Sequence, residues 1–115
     1  MMTQPTIQDY FGLAIQSENH LRQFYRGLAE KFATTPNAKA FWQQMADDEA
    51  AHAKRLIDLR DALSPEQLTA SADTQSYLDL ERAMAVSPSE TLKQVRNLQE
   101  AYELATELET GEFNA

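Results

Sequence analysis

Residues 47–59 read DDEAAHAKRLIDL, and the fold turns on how Glu49 and His52 sit within them. The segment holds no Gly or Pro. Extended in both directions, its apolar and chemistry-bearing residues form one row: Trp42, Met45, Glu49, His52, Leu56, Leu59 and Leu63. The steps alternate three and four, as on a helix that packs along the seam of a left-handed bundle. Residues i and i+3 share a helix face, so the Glu49 carboxylate and the His52 imidazole point toward one spot. An E-x-x-H arises often by chance. On a seam, however, it poses the question of what a carboxylate does there.

Two further segments carry the same row. Before it come Ile7, Phe11, Ala14, Glu18, Leu21, Tyr25, Leu28 and Phe32; after it come Val95, Leu98, Tyr102, Ala105, Glu109 and Glu112. Thr6 caps the first helix, with Asp9 as capping-box partner, and that helix runs to about Ala33. Thr34-Thr35-Pro36-Asn37 reads as a tight turn, with Thr35 as cap and Pro36 in the first helical position of a helix ending near Ala62. Ser64-Pro65-Glu66-Gln67 and Ser87-Pro88-Ser89-Glu90 mark two more starts. Residues 65–86 are expected to be a mobile connector with one or two short helices, and the last helix to run from about Pro88 toward the C-terminus. No segment shows the period-two alternation of a strand. The expectation is an all-α, up-down bundle of three long helices plus a connector, forming one domain over residues 1–115.

Glu18, Glu49 and Glu109 each lie between apolar residues one turn away on either side, and Lys and Arg are absent from all three seams. An ionised carboxylate taken out of water without a partner is costly. A divalent cation is the simplest partner for several converging carboxylates. Carboxylate oxygens and imidazole nitrogens together suit iron or manganese. A polar patch facing water is the plainer reading of Glu18, Glu49 and His52, and an exposed acidic helix end that of Glu109 and Glu112. Asp47 and Asp48 read as a solvated face, with Asp48, one turn from His52, alternatively a candidate acceptor for its imidazole. His20, Arg22, Lys54 and Arg55 read as surface residues, and Trp42, Met45 and the leucines as core packing.

Composition narrows the function. The chain has 115 residues, of which 43% are hydrophobic, enough for one core. Ten Lys and Arg against 18 Asp and Glu give a net charge of −8, which argues against nucleic acid and anionic membrane surfaces as partners. Without cysteine there is no disulfide, thiolate zinc site, iron–sulfur cluster or cysteine nucleophile. No apolar run is long enough to span a membrane, and the opening MMTQPTIQDYFG carries no signal-peptide pattern. The expected setting is cytoplasmic.

Glu18 and Tyr25 in SENHLRQFY (residues 17–25), together with Glu49 and His52 in DDEAAHAKRLIDL, resemble the rubrerythrin branch of the ferritin-like proteins. The resemblance covers roughly residues 7–63 and extends more loosely through the third long helix. It implies a ferritin-like bundle around a di-iron centre acting on peroxide or dioxygen. Glu18, Glu49 and His52 would be metal ligands, and Tyr25 the tyrosine packed beside them and the candidate catalytic side chain. Glu112 would match the extra third-helix glutamate. An internal repeat aligns residues 7–18 with 98–109, with Gln8/Gln99, Leu13/Leu104, Ala14/Ala105 and Glu18/Glu109 identical. It places Glu109 where Glu18 sits.

The sequence departs from the family pattern in one respect. The repeat would carry a second E-x-x-H past Ala115, so a fourth bundle helix is not in this sequence. Either the chain is a shortened version of a longer one, or two chains pair and each gives Glu18, Glu49 and His52, an arrangement similar to encapsulated ferritins. Open seams on a helical hairpin predict a homo-oligomer in either case. Three functions follow. The first is peroxide reduction fed by an external electron donor. The second is ferroxidase activity feeding iron storage. The third is a metal-free assembly or partner-binding module.

Overall fold

A computed structural model describes residues 4–85 and 87–113, the side chains of 110–113 excepted. The chain is all-α, with helices α1 (Ile7–Lys31), α2 (Pro36–Asp61), α3 (Pro65–Thr69), α4 (Thr74–Met84), α5 (Pro88–Gln94) and α6 (Leu98–Phe113). Among the described residues the only β pairing is one isolated bridge, Thr6 to Ser71. No helix among them is long and apolar enough to cross a membrane.

The starts of the helices follow the local chemistry. Thr6 and Asp9 close the capping box, each side chain accepting from the other's backbone N–H, at 3.1 and 3.0 Å. Pro36 opens α2 behind Thr35, although the Thr35 side chain makes no capping bond. Ser64 and Gln67 form a second capping box on α3. The connector is stitched to the start of α1. Ile7 N–H donates to Ala70 O, Ala72 N–H to Pro5 O, and the Gln4 amide to Ala72 O.

α1 and α2 form the antiparallel hairpin that the rest packs against. Tyr25 stacks on Trp42 while Glu18 meets His52, so the partners run in opposite order. The dry core lies toward the turn joining the two helices. It gathers Leu21, Phe24, Tyr25, Leu28 and Ala29 of α1 with Trp42 and Ala46 of α2, Val95, and Ala101 and Ala105 of α6. α5 lies close to α1 because Gly27 leaves the space that the Leu92 side chain occupies.

Toward the far end of the hairpin the seam is thinner. Ile7, Phe11, Ala14, Leu56 and Leu63 are only half-buried, and Leu59, expected on the buried row, is 51% exposed. α4 packs along α1 there, but α6 ends nearer the core.

The expected single last helix is two helices. Val95 is extended (φ −80, ψ 116) and ends α5. Asn97 Oδ1 then accepts from Glu100 N–H at 2.9 Å and starts α6. Arg96 holds the Glu100 carboxylate through its backbone N–H and its guanidinium. Val95 and Ala105 of the expected row are buried, at 2% and 6% exposure. Ala101 is fully buried, whereas Tyr102, expected on the inner row, is 42% exposed. The Ser87 side chain, in the stronger S-x-x-E pattern, makes no capping bond.

Asn97→Ala is therefore expected to cost about 1 kcal/mol, the usual worth of an N-cap side chain, and Ser87→Ala only a few tenths. Urea denaturation of the two variants checks this, and equal losses would contradict the assigned caps.

Candidate metal centre

Glu18 on α1 and Glu49 and His52 on α2 converge at the edge of the dry core. Their ligand atoms lie within 4.8 Å of one another. His52 Nδ1 is 3.4 Å from Glu49 Oε2 and 3.6 Å from Glu18 Oε2. The carboxylates are almost fully buried, at 3% and 2% exposure, while the imidazole is 39% exposed. Helix geometry explains the pairing. Glu49 and His52 are one turn apart on α2, and the antiparallel hairpin brings Glu18 to the same level.

α6 adds a third carboxylate. The Tyr25 hydroxyl donates to Glu109 Oε1 at 2.6 Å, and Glu109 in turn lies beside Glu49. The side chain of Glu112 lies outside the described residues. Asp48 does not serve His52. It is exposed and accepts from the Gln44 amide at 2.9 Å, because it sits one step around the helix from Glu49. Arg55, one turn beyond His52, belongs nearer the site than its surface reading suggested. With Tyr10, Ala14, Leu56 and Leu80 it lines an open cavity of about 310 Å³ that reaches Glu18 and His52. Tyr10 and Arg55 were findable from the sequence, being i−8 from Glu18 and i+3 from His52. Leu80 was not, because only the packing of α4 on α1 brings it there.

The electrostatics are those of a carboxylate cluster lacking a cation. Burial pushes the Glu49 carboxyl up from 4.5 to about 11, with hydrogen bonds and charge repulsion from Glu18 and Glu109 adding to the effect. Glu18 Oε2 is buried and has no hydrogen-bond partner among the described residues. The Lys and Arg ion pairs among those residues lie on exposed helix faces elsewhere. Replacing water around a carboxylate costs several kcal/mol unless a partner compensates. The donor set therefore fits a bound metal: buried oxygen donors, one of them an orphaned acceptor, beside an imidazole that faces an open cavity. Glu18, Glu49, His52 and Glu109 are the residues that could hold it.

The shift in Glu49 has a signed consequence for the metal-free protein. The folded state keeps a proton that the unfolded chain releases above about pH 4.5, so stability falls as pH rises from there toward 11. Glu49→Gln removes that proton without changing shape. We expect the metal-free variant to be more stable than the parent at pH 8, by on the order of 1–3 kcal/mol, with a flatter pH dependence. Thermal melts at pH 5 and pH 8 measure both effects. A parent protein more stable at pH 8 than at pH 5 would contradict the assignment.

The sequence was compared with known proteins. No curated protein and no solved structure matched it. A protein-family model described as Rubrerythrin matches residues 9–113, which takes in α6 and Glu109 as well as the hairpin. The chain belongs to the rubrerythrin family.

Proposed function

We propose that the chain binds a pair of iron ions through Glu18, Glu49, His52 and Glu109 and reduces peroxide at them with electrons from an external donor. The observation that carries this reading is the convergence, from three helices, of two buried carboxylates, the half-buried Glu109 and the part-exposed His52 around a buried acceptor oxygen that has no hydrogen-bond partner among the described residues. When bound, an iron pair supplies one-electron chemistry at each ion, which sums to the two electrons that peroxide reduction needs. Manganese fits the same donors.

The chain's own residues divide the remaining work. Glu49, flanked by Glu18 and Glu109, would be a central ligand of the pair. Its proton must leave as metal enters, so affinity rises with pH. Tyr25 fixes the orientation of Glu109 through its 2.6 Å hydrogen bond. His52 and the cavity beside it form the open side, where a small oxidant can approach. The Arg55 guanidinium on the cavity wall gives that approach a positive charge.

The reading includes self-association. The thin end of the seam, with exposed Leu59 and half-buried Phe11, Leu56 and Leu63, supports a second copy packed against this end. Its own Glu18 and His52 could then lie near those of the first.

Anaerobic Fe(II) titration on a sample of known solution mass tests the proposal. We expect tight iron in the parent, lost in Glu49→Ala and His52→Ala and retained in Tyr25→Phe. Two irons per chain in a monomer mean that α6 closes the site unaided, and one per chain in a dimer means that the partner completes it. Peroxide consumption sustained by a reductant supports the peroxidase reading. Dioxygen consumption that leaves a ferric product and does not recur assigns a ferroxidase instead. No tight iron would overturn the proposal.

A further inference from the structure

A line of oxidisable rings leads from the carboxylate cluster to the protein surface. Tyr25 is fully buried, with its hydroxyl on Glu109. Its ring stacks on Trp42, with centroids 5.8 Å apart and planes 13° from parallel. Trp42 is also fully buried, and its ring lies 5.0 Å from that of Tyr102 on α6. Tyr102 is 42% exposed. Phe41 packs edge-on against both Trp42 and Tyr102 and holds them in place. The outer end of the line borders an open cavity of about 240 Å³ walled by Phe41, Trp42, Met45 and Tyr102, with Glu109 also on its lining. The His52 cavity is lined by a different set of residues.

We propose that Tyr25, Trp42 and Tyr102 conduct single electrons inward from the surface to the carboxylate–histidine centre, so that a soluble one-electron reductant is consumed at Tyr102 rather than in the His52 cavity. The proposal rests on the reading of the centre as a redox metal site. Ring packing alone would account for a buried Tyr–Trp stack. It does not account for a phenol hydrogen-bonded to a carboxylate of the cluster at one end and a half-exposed phenol at the other.

The protons balance along the line. Tyr25 would give one electron to the centre when peroxide has oxidised it. The phenol O–H proton passes to Glu109 Oε1 along the existing hydrogen bond, because an oxidised phenol is a strong acid. Trp42 then gives an electron to Tyr25, and the proton returns from Glu109. Trp42 Nε1 has no hydrogen-bond partner among the described residues. The oxidised indole therefore keeps its proton, stays strongly oxidising, and takes an electron from Tyr102. Tyr102 loses its proton to water and regains a proton when the external reductant refills it. Two such passages, with two protons from water, take one peroxide to two waters.

Two experiments test this, and they separate it from the metal reading. In the metal-free protein, a laser flash at the red edge of indole absorption ionises Trp42, the one tryptophan. Decay of the indole radical should be matched by growth of a phenoxyl signal, largely lost in Tyr102→Phe and unchanged in Tyr77→Phe. Tyr102 is exposed, so its variant folds whether or not Trp42→Phe does. In iron-loaded protein given peroxide and no reductant, oxidation should accumulate at Tyr102 as dityrosine between molecules. Trp42→Phe should abolish that cross-link at unchanged iron content and leave a phenoxyl radical on Tyr25 by electron paramagnetic resonance. Phenoxyl growth that survives Tyr102→Phe, or Tyr102 cross-links that survive Trp42→Phe, would overturn the conduit. A chain that passes the flash test but binds no iron sinks the metal reading, and the inner end of the conduit with it.

Discussion

Two buried carboxylates, Glu18 and Glu49, and the half-buried Glu109, with no Lys or Arg paired to them among the described residues, constrain everything else in this structure. Such a cluster opposes folding unless protons or a cation hold it together. The surrounding packing does not relieve the repulsion. It keeps the three groups together at the edge of an aromatic core. Ala101 and Ala105 are small enough for α6 to lie close to the hairpin, which is what allows Glu109 to reach Tyr25 and Glu49. Tyr25 gives Glu109 a neutral donor in place of a counter-ion. A metal ion held here would turn the same strain into affinity, because it would replace the proton on Glu49 and give Glu18 Oε2 a partner.

The hairpin is stabilised unevenly, and the centre sits at the boundary. Above it, toward the turn, Trp42, Phe24 and Leu28 are sealed by α5 and α6. Below it, α4 gives α1 partial cover and Leu59 remains in water. Glu49 falls on the sealed side, Glu18 at its margin where the open cavity reaches it, and His52 on the open side. That division makes chemical sense. Carboxylates that would hold a metal need a fixed, desolvated setting, whereas an imidazole facing a cavity would leave room for the ion to enter.

Much of this was legible in the sequence. The capping residues Thr6 and Ser64, the proline at the start of α2 and the three-and-four row through Glu18, Glu49 and His52 follow from local chemistry, and the structure places those elements as read. The errors share one cause. Ser87 carries the better S-x-x-E pattern, but Asn97 with Glu100 makes the side-chain cap, and Arg96 reinforces it. The last row, from Val95 onward, was read as part of one helix running through this break; Val95 and Ala105 are buried as expected, whereas Ala101 takes the inward place expected of Tyr102. Asp48 lies on the solvated face expected of it; the alternative role as acceptor for His52 fails because a step of one residue around a helix turns the side chain away. Leu80 and the cavity depend on contacts between distant segments, which no local pattern encodes.

The observed facing of α6 also explains how surface and centre are connected. With Ala101 and Ala105 inward, Tyr102 and Glu109 fall on the same flank of α6, seven positions apart and so two turns along one edge. Tyr102 overlies Trp42 at one level, and Glu109 accepts from Tyr25 at the next. Had Tyr102 pointed inward, it would have been another buried core ring with no route to solvent. Rotating the helix to bury two alanines instead leaves one edge that is aromatic and exposed at its start and acidic and half-buried two turns later. A single break of three residues, Val95 to Asn97, thereby both closes the carboxylate cluster and keeps an aromatic contact open to water beside it.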